Sequence, residues 1–417
     1  MSETLHLFDA FGVELEYMIV DQDSLNVNPI ADRLIQADCG HVESEIERGE
    51  ISWSNELALH VIEFKTAGPA SQLDGLSALF QQNVTDANQH LAALGGRLLP
   101  SAMHPWMDPF KEMKLWPHEY NEVYEAFDRI FDCRGHGWAN LQSVHLNLPF
   151  CGDEEFGRLH AAIRLLLPLF PGLAASSPAM DGRLSGLLDN RLEVYRTNSR
   201  RVPLVAGLVI PEPAFTKEDY DRLIFQPLYK AIAPLDPDGV LQEEFLNARG
   251  AIARFDRGAI EIRVIDIQEC PAADLAILQA SVAVLKELVA EKWSDTVSQR
   301  DVSVERLHNI LLAVIRDGER AVITDAGYLR LLGIQSGTCT VAEVWQQLAA
   351  AVSLNLDVAT GRALDVILGQ GPLSRRIINR LKGVDESSFR QSCKTVYSEL
   401  ADCLANGVSF EGSTTTK

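Results

Sequence analysis

Period-two alternation of apolar and polar residues dominates the first two thirds of the chain. Residues 11–20 alternate as a strand and stop at Asp21-Gln22-Asp23-Ser24, a turn composition. Residues 51–66 contain a second strand behind an acidic stretch with Glu43, Glu45, Glu47 and Glu50, and residues 141–148 make a third. Residues 251–255 and 259–267 flank Asp256-Arg257-Gly258 and predict a hairpin. Helical spacing covers residues 71–94, closed by Gly95-Gly96, and residues 154–167, closed by Pro168. Past Pro271 the period changes: residues 272–293, 302–316, 341–350 and 387–405 predict helices. The strands are not spaced as βαβ units, which predicts an α+β fold class. No linker composition interrupts the chain. The expected organisation is one catalytic unit over 1–405, with a strand-rich core at 8–271 and a helical region at 272–405. A Gly/Ser/Thr-rich flexible tail at 406–417 follows.

Splitting each strand by face exposes charge among apolar residues. On one strand Val13, Leu15, Tyr17 and Ile19 share a face, opposite Glu14, Glu16, Met18 and Val20. Two carboxylates on one partly apolar face repel and are costly to desolvate, and a bound cation removes both penalties. In the second strand Leu57, Leu59, Val61 and Glu63 form one row. In the third, Ser143, His145 and Asn147 oppose Val144, Leu146 and Leu148, and in the hairpin Glu261 and Arg263 oppose Ile260, Ile262 and Val264. Each alone is an ordinary surface pattern. Together Glu14, Glu16, Glu63, His145 and Glu261 form a hard, oxygen-rich donor set suited to Mg²⁺ or Mn²⁺.

Charge narrows the ligand. The 417 residues carry 58 acidic against 37 basic side chains, a net charge of −21, which disfavours nucleic acid as a partner. Against that field Arg254 and Arg263 lie on the two arms of the hairpin, and Arg191, Arg196, Arg200 and Arg201 follow one another closely. They suggest an anionic ligand such as a polyphosphate or carboxylate. There is no GxxxxGK[ST] loop, no GxGxxG after a strand and no GxSxG elbow, so bound ATP would be held by metals and arginines. The seven cysteines form no CxxC pair and read as reduced thiols. Residues 1–9 lack a basic n-region, and the longest apolar stretch, 165–175, holds two prolines. A soluble cytoplasmic protein without membrane partners is expected.

Several segments, in order, resemble glutamate–cysteine ligase family 2, carboxylate–amine ligases of the glutamine synthetase-like superfamily. They are Gly12-Val13-Glu14-Leu15-Glu16-Tyr17, then Glu56 with Val61-Ile62-Glu63-Phe64-Lys65-Thr66, and Met103-His104-Pro105-Trp106. Gly135-His136-Gly137-Trp138-Ala139-Asn140, Ser143-Val144-His145-Leu146-Asn147 and Ala175-Ser176-Ser177-Pro178 follow. Gly182, Asp189-Asn190-Arg191 and the ExR pair within 258–264 complete a resemblance that covers residues 8–290. The resemblance implies a curved, mainly antiparallel sheet whose concave face holds metals and nucleotide, with helices outside and a helical C-terminal third. It implies Glu14, Glu16, Glu63, His145 and Glu261 as ligands of Mg²⁺ or Mn²⁺. Arg263 and Arg254 would contact the transferring phosphate of ATP, and Arg191 a phosphate or substrate carboxylate. Arg196 and His104 are further substrate-binding candidates, with His104 also a candidate acceptor of the amine's proton.

The implied reaction converts the glutamate side-chain carboxylate to an acyl phosphate and joins it to an amine. L-cysteine as acceptor gives γ-glutamylcysteine, a step of glutathione biosynthesis. The competing readings are another amine acceptor, a guanidino-kinase-like phosphotransferase and a non-catalytic nucleotide-binding protein. The chain departs from the family pattern at Ser143, where many members have histidine, and at Ala102-Met103, where many have Gly-Thr; the metal set survives both changes, and the resemblance leaves the amine acceptor open. Oligomeric state is left open, a homo-oligomer included.

Overall fold

The alternating segments assemble as one antiparallel sheet. The computed structural model describes residues 4–119 and 121–412. Its strands are β1 Gly12–Asp21, β2 Glu45–Arg48, β3 Ile51–Asn55, β4 Val61–Thr66, β5 Gly96–Leu99 and β6 Ser143–Pro149. A short ribbon, β7 Ala179–Met180 and β8 Arg183–Leu184, precedes β9 Ala251–Arg254 and β10 Ala259–Asp266. The order across the main sheet is β2-β3-β4-β1-β6-β10-β9, antiparallel throughout. β1 is central: β4 lies along one edge over Glu14–Met18, while β6 over Gly12–Leu15 and β5 over Met18–Asp21 share the other.

The expected second strand is corrected. It is two strands, β3 and β4, with β2 added outside them. Leu57 and Leu59 leave the ladder: the Leu57 carbonyl accepts from Trp116 N and Leu59 N donates to the Lys114 carbonyl. The row expected to run from Leu57 to Glu63 therefore begins at Val61.

One sheet face is mainly apolar. Val13, Leu15, Tyr17, Ile19, Phe64, Val144, Leu146, Ile260 and Ile262 are buried in a single cluster with Phe80 and Val84 of the helix Leu76–Ala93 and Leu275 and Leu278 of the helix Pro271–Val289. The latter helix is apolar on nearly every side, as a helix enclosed by protein must be. Each fully buried Leu, Ile or Val contributes about 1.5–3 kcal/mol, so this face can sustain a polar, mutually repelling opposite face.

The C-terminal third is helical, with Val304–Asp317, Val341–Ala351, Val358–Gln370, Leu373–Leu381 and Glu386–Asn406. Val358–Gln370 and Leu373–Leu381 add two helices to those expected within the 272–405 helical region. The first three helices extend the main core, while the last two form a second cluster with Met18, Val20, Leu99 and Trp106. Met18 and Val20 lie on the face of β1 that carries Glu14 and Glu16, so the helix Glu386–Asn406 covers the far end of the polar face. The expected frayed tail is corrected through residue 412. Phe410 is 2% exposed, its N–H donates to Glu269 (3.2 Å), and its carbonyl accepts from buried Arg376 (2.5 Å). Residues 413–417 lie outside the described residues. No described helix is long and apolar enough to cross a membrane.

His104 is 1% exposed, and burial brings its imidazole down to about 3. Its folded value lies below the unfolded value of about 6.5, so the stability it contributes is present above pH 6.5 and is lost progressively as the pH falls toward 3. Between pH 6.5 and 5 the wild type should lose roughly 1.5 kcal/mol more than His104→Gln. Urea unfolding at the two pH values checks this; equal losses would place a charged imidazole in the folded state.

Candidate active site

Strand register collects the charged residues. Glu16 is directly opposite Glu63 of β4, Glu14 is opposite both Lys65 of β4 and His145 of β6, and Glu261 of β10 is opposite Asn147. Directly opposed residues project to the same side, so all these groups meet on one face. Glu16 accepts from Ser143 N (2.7 Å) and Ser143 Oγ (2.9 Å), and the same Oγ lies 3.0 Å from His145 Nε2. Glu14 pairs with His145 Nδ1 (2.8 Å) and accepts from Asn147 Nδ2 (2.9 Å). The close pairing at Asn147 depends on Gly12, where a Cβ would stand 2.9 Å from Asn147 Cβ. Glu63 accepts from Ser54 Oγ (2.7 Å), and Lys65 Nζ lies 3.5 Å from Glu63 and 2.8 Å from Glu45.

Charge is unevenly distributed over this cluster. Burial opposes ionisation of Glu14, but the hydrogen bond with His145 and the charges of His145, Lys65 and Arg263 outweigh it and bring the carboxyl to about 2. Burial, reinforced by Glu14 and Glu56, pushes Glu63 well above the usual carboxylate range. Burial and then Glu16 raise Glu56 to about 7. Burial works against the His145 cation, and the Glu14 hydrogen bond with the charges of Glu16 and Glu14 overcomes it, raising the imidazole. The face thus holds more carboxylates than can ionise together. Donor atoms of Glu14, Glu63 and His145, and of Glu16, Glu56 and Glu63, lie within 4.8 Å of one another. Carboxylates with one imidazole fit a hard divalent cation.

A β-bulge between Ile262 and Ile265 sets Arg263. Its N–H donates to the Gly250 carbonyl (2.9 Å), and its own carbonyl accepts from Arg191 Nη2 (2.8 Å). Gly250 is required there: a Cβ would come within 2.5 Å of Val264 Cγ1. Arg263 Nε stands 2.9 Å from Glu261 Oε1, and Arg254 lies 3.7 Å from Glu261 on its other oxygen.

Two cavities meet at the cluster, and Glu56, His145 and Arg263 line both. The outer one, about 550 Å³, is bordered by Arg254, Arg257, Lys65, Glu14, Glu63 and Glu261. The inner one, about 330 Å³, is bordered by Glu16, Arg191, Tyr195 and a group of aromatic side chains.

The structure therefore brings Glu14, Glu16, Glu63, His145, Glu261, Arg254 and Arg263 together, but not His104 or Arg196. His104 lines neither cavity; its Nε2 meets the Leu25 carbonyl (2.7 Å) and its backbone is held by Asn140 (2.6 Å). Arg196 is paired with Glu193 one helical turn back (2.7 and 2.6 Å). Arg191 lines the inner cavity, yet its Nη groups are engaged, one with Asp266 (3.3 Å) and one with the Arg263 carbonyl. Asp266 is in turn held by Ser176 N (2.8 Å) and Ser177 Oγ (3.0 Å), which gives the Ser-Ser-Pro segment a structural purpose. Glu56 was missed as a site residue: it lies in the turn between β3 and β4, where strand alternation gives no face.

The comparisons with known proteins agree with this geometry. The sequence matches glutamate–cysteine ligase family 2 over residues 10–387. An uncharacterized protein of Archaeoglobus fulgidus is 30% identical over 397 residues, 94% of this chain and 98% of that one. A Bradyrhizobium protein provisionally named glutamate–cysteine ligase 2 is 28% identical over 277 residues, 65% of this chain and 60% of that one. Among solved structures, Francisella tularensis glutamate–cysteine ligase in complex with AMP superposes with a TM-score of 0.55 at 12% identity, over 96% of this chain and 90% of that one. The bifunctional glutathione synthetase of Pasteurella multocida gives 0.53 at 12% identity; the match takes in 94% of this chain and 53% of that enzyme. At such identity these two likenesses speak for the fold. The chain belongs to glutamate–cysteine ligase family 2 and is an ATP-dependent ligase that forms a carbon–nitrogen bond.

Proposed function

We propose that this ligase activates the side-chain carboxylate of glutamate as an acyl phosphate and transfers the acyl group to an amine. The observation that carries the reading is the carboxylate–histidine cluster with Arg263 at the wall common to two cavities. ATP takes the outer cavity, where Arg254, Arg257, Arg263 and Lys65 supply positive charge for its phosphates. The amine takes the inner one.

Glu14, Glu16, Glu56, Glu63, His145 and Glu261 are the residues to hold Mg²⁺ or Mn²⁺. When bound, such ions neutralise phosphate oxygens and lower the repulsion between two anions. Arg263 is held by the bulge at the cavity wall, where its planar fork can follow charge from the triphosphate to the acyl phosphate. Arg191 fixes that arrangement from behind, through the Arg263 carbonyl. His104, enclosed and hydrogen bonded elsewhere, takes no part in proton transfer.

Incubating the protein with ATP, Mg²⁺, L-glutamate and hydroxylamine should release ADP and form γ-glutamyl hydroxamate; ADP release independent of glutamate would overturn the proposed donor. Mn²⁺ at a hundredfold excess over its Kd should stabilise the protein by about 2.7 kcal/mol, read as a thermal-melting shift. Glu16→Gln should reduce that shift and lower turnover by about 100-fold; an unchanged Mn²⁺ shift would remove Glu16 from the metal site. Arg263→Lys should lower kcat by about 100-fold with little change in the KM for ATP, since a point charge does not replace the fork. Equal loss in both would place Arg263 in ground-state binding.

A further inference from the structure

We propose that a third cavity, behind the aromatic wall of the inner one, binds a small phosphate monoester with an aromatic body. This site is separate from the ATP and amine cavities, and the inference does not rest on the ligase reading.

The sequence offers Arg200 and Arg201 to an anionic ligand, yet neither borders the two cavities at the carboxylate cluster. They join Arg129 instead, around a cavity of about 500 Å³ on the other side of Trp138. Tyr124, Phe127, Trp138 and Phe245 make the aromatic wall of the inner cavity. Gly137, Trp138 and Asn198 border both the inner and the third cavity. Trp138 Nε1 donates to the Asn198 carbonyl (3.1 Å), and Asn198 Nδ2 donates to the Gly137 carbonyl (2.8 Å). A Cβ at Gly137 would stand 2.5 Å from Asn198 Cβ. So tight a partition keeps a ligand of the third cavity apart from the carboxylates.

The three guanidinium groups keep their charge. Among the described residues none of them is in an ion pair. Arg201 Nη1 donates to the Ile130 and Arg129 carbonyls (2.7 and 3.4 Å), Arg129 Nη1 donates to the Leu235 carbonyl (3.0 Å), and Arg200 gives no side-chain hydrogen bond. Carbonyl contacts of this kind leave most of the N–H groups of a guanidinium free. The other ionisable groups on the cavity are matched, Asp132 with Arg134 (2.7 Å) and His136 with Asp181 (3.1 Å). The helices Asn121–Phe131 and Asn190–Asn198 end at this cavity, and each C-terminus carries about half a negative charge. Three positive charges against these two helix ends leave a surplus of about two, in a chain whose net charge is −21.

A phosphate monoester answers that surplus. It carries about two negative charges near neutral pH, with acceptor oxygens that suit guanidinium forks. The cavity also supplies ring faces for a flat body. Phe131 and Trp138 border it, stacked at 5.3 Å, and Phe110 stands at its border with 69% of its surface exposed.

Isothermal titration calorimetry of the full chain tests the site with phenyl phosphate, inorganic phosphate and benzyl alcohol in turn. Mg²⁺ and the non-hydrolysable ATP analogue AMP-PNP are present in excess, so that the outer cavity is filled. Phenyl phosphate should bind one site about tenfold or more tightly than either benzyl alcohol or inorganic phosphate, a step of about 1.4 kcal/mol. Arg200→Ala should weaken phenyl phosphate about threefold, and Arg200→Ala with Arg201→Ala about tenfold. Phe110→Ala should weaken phenyl phosphate and leave inorganic phosphate unchanged, while Arg254→Ala, in the outer cavity, should change neither. No binding of phenyl phosphate, or equal binding of benzyl alcohol or inorganic phosphate, overturns the inference. Binding that survives both arginine variants, or is lost with Arg254→Ala, overturns it as well. Arg200 makes no side-chain hydrogen bond, so Arg200→Ala carries the test if the double variant fails to fold.

Discussion

Strand geometry places mutually repelling carboxylates on one side of a sheet and gives them no way apart. Glu14 and Glu16 are two residues apart on β1, and Glu63 is opposite Glu16 on the neighbouring strand. Their spacing is fixed by the pleat and the ladder. Relief has to come from outside the backbone, and each surrounding feature supplies some of it. Ser143 donates twice to Glu16, His145 and Asn147 hold Glu14, Lys65 stands by Glu63, and Arg263 and Arg254 face Glu261. The remaining excess of negative charge is what suits the face to a divalent cation.

The opposite face makes this arrangement sustainable. A continuous apolar layer from β1, β4, β6 and β10 packs against two long helices. Stability is concentrated on one side of the sheet and reactive groups on the other. Arg191 and Asp266, both buried, join the two regions: their contact ties the helix Asn190–Asn198 to the end of β10, just beyond the bulge that sets Arg263. A pair so enclosed adds little net stability on its own, but removing one partner would leave a buried charge uncompensated.

What the sequence revealed follows from the same geometry. Glu14, Glu16, Glu63, His145, Glu261 and Arg263 were legible because alternation assigns a side to every strand residue. Glu56 was not, since a turn has no parity, and Glu56 follows β3 without a Gly or Pro to mark the turn. The inward turn of His104 was not legible, because a His-Pro pair says nothing of which way the ring turns; Asn140 and the Leu25 carbonyl draw it inward. Arg196 was legible in principle as a partner of Glu193 three residues earlier on one helix. The aromatic wall was not legible at all. Tyr124 and Phe127 come from one helix, Trp138 from a short turn of helix and Phe245 from a distant loop, and tertiary packing alone assembles them.

The second apolar cluster has a consequence for how the site comes into being. β1 carries Glu14 and Glu16 near its start and Met18 and Val20 just beyond, and the latter two pack with residues of the helix Glu386–Asn406. Contacts across so long a sequence separation carry a loop-closure cost and cannot form within any local segment of the chain. Until that helix docks, the strand that organises the carboxylates is uncovered along part of its polar face. Covering of the polar face is therefore a long-range event, not a property of the strand alone.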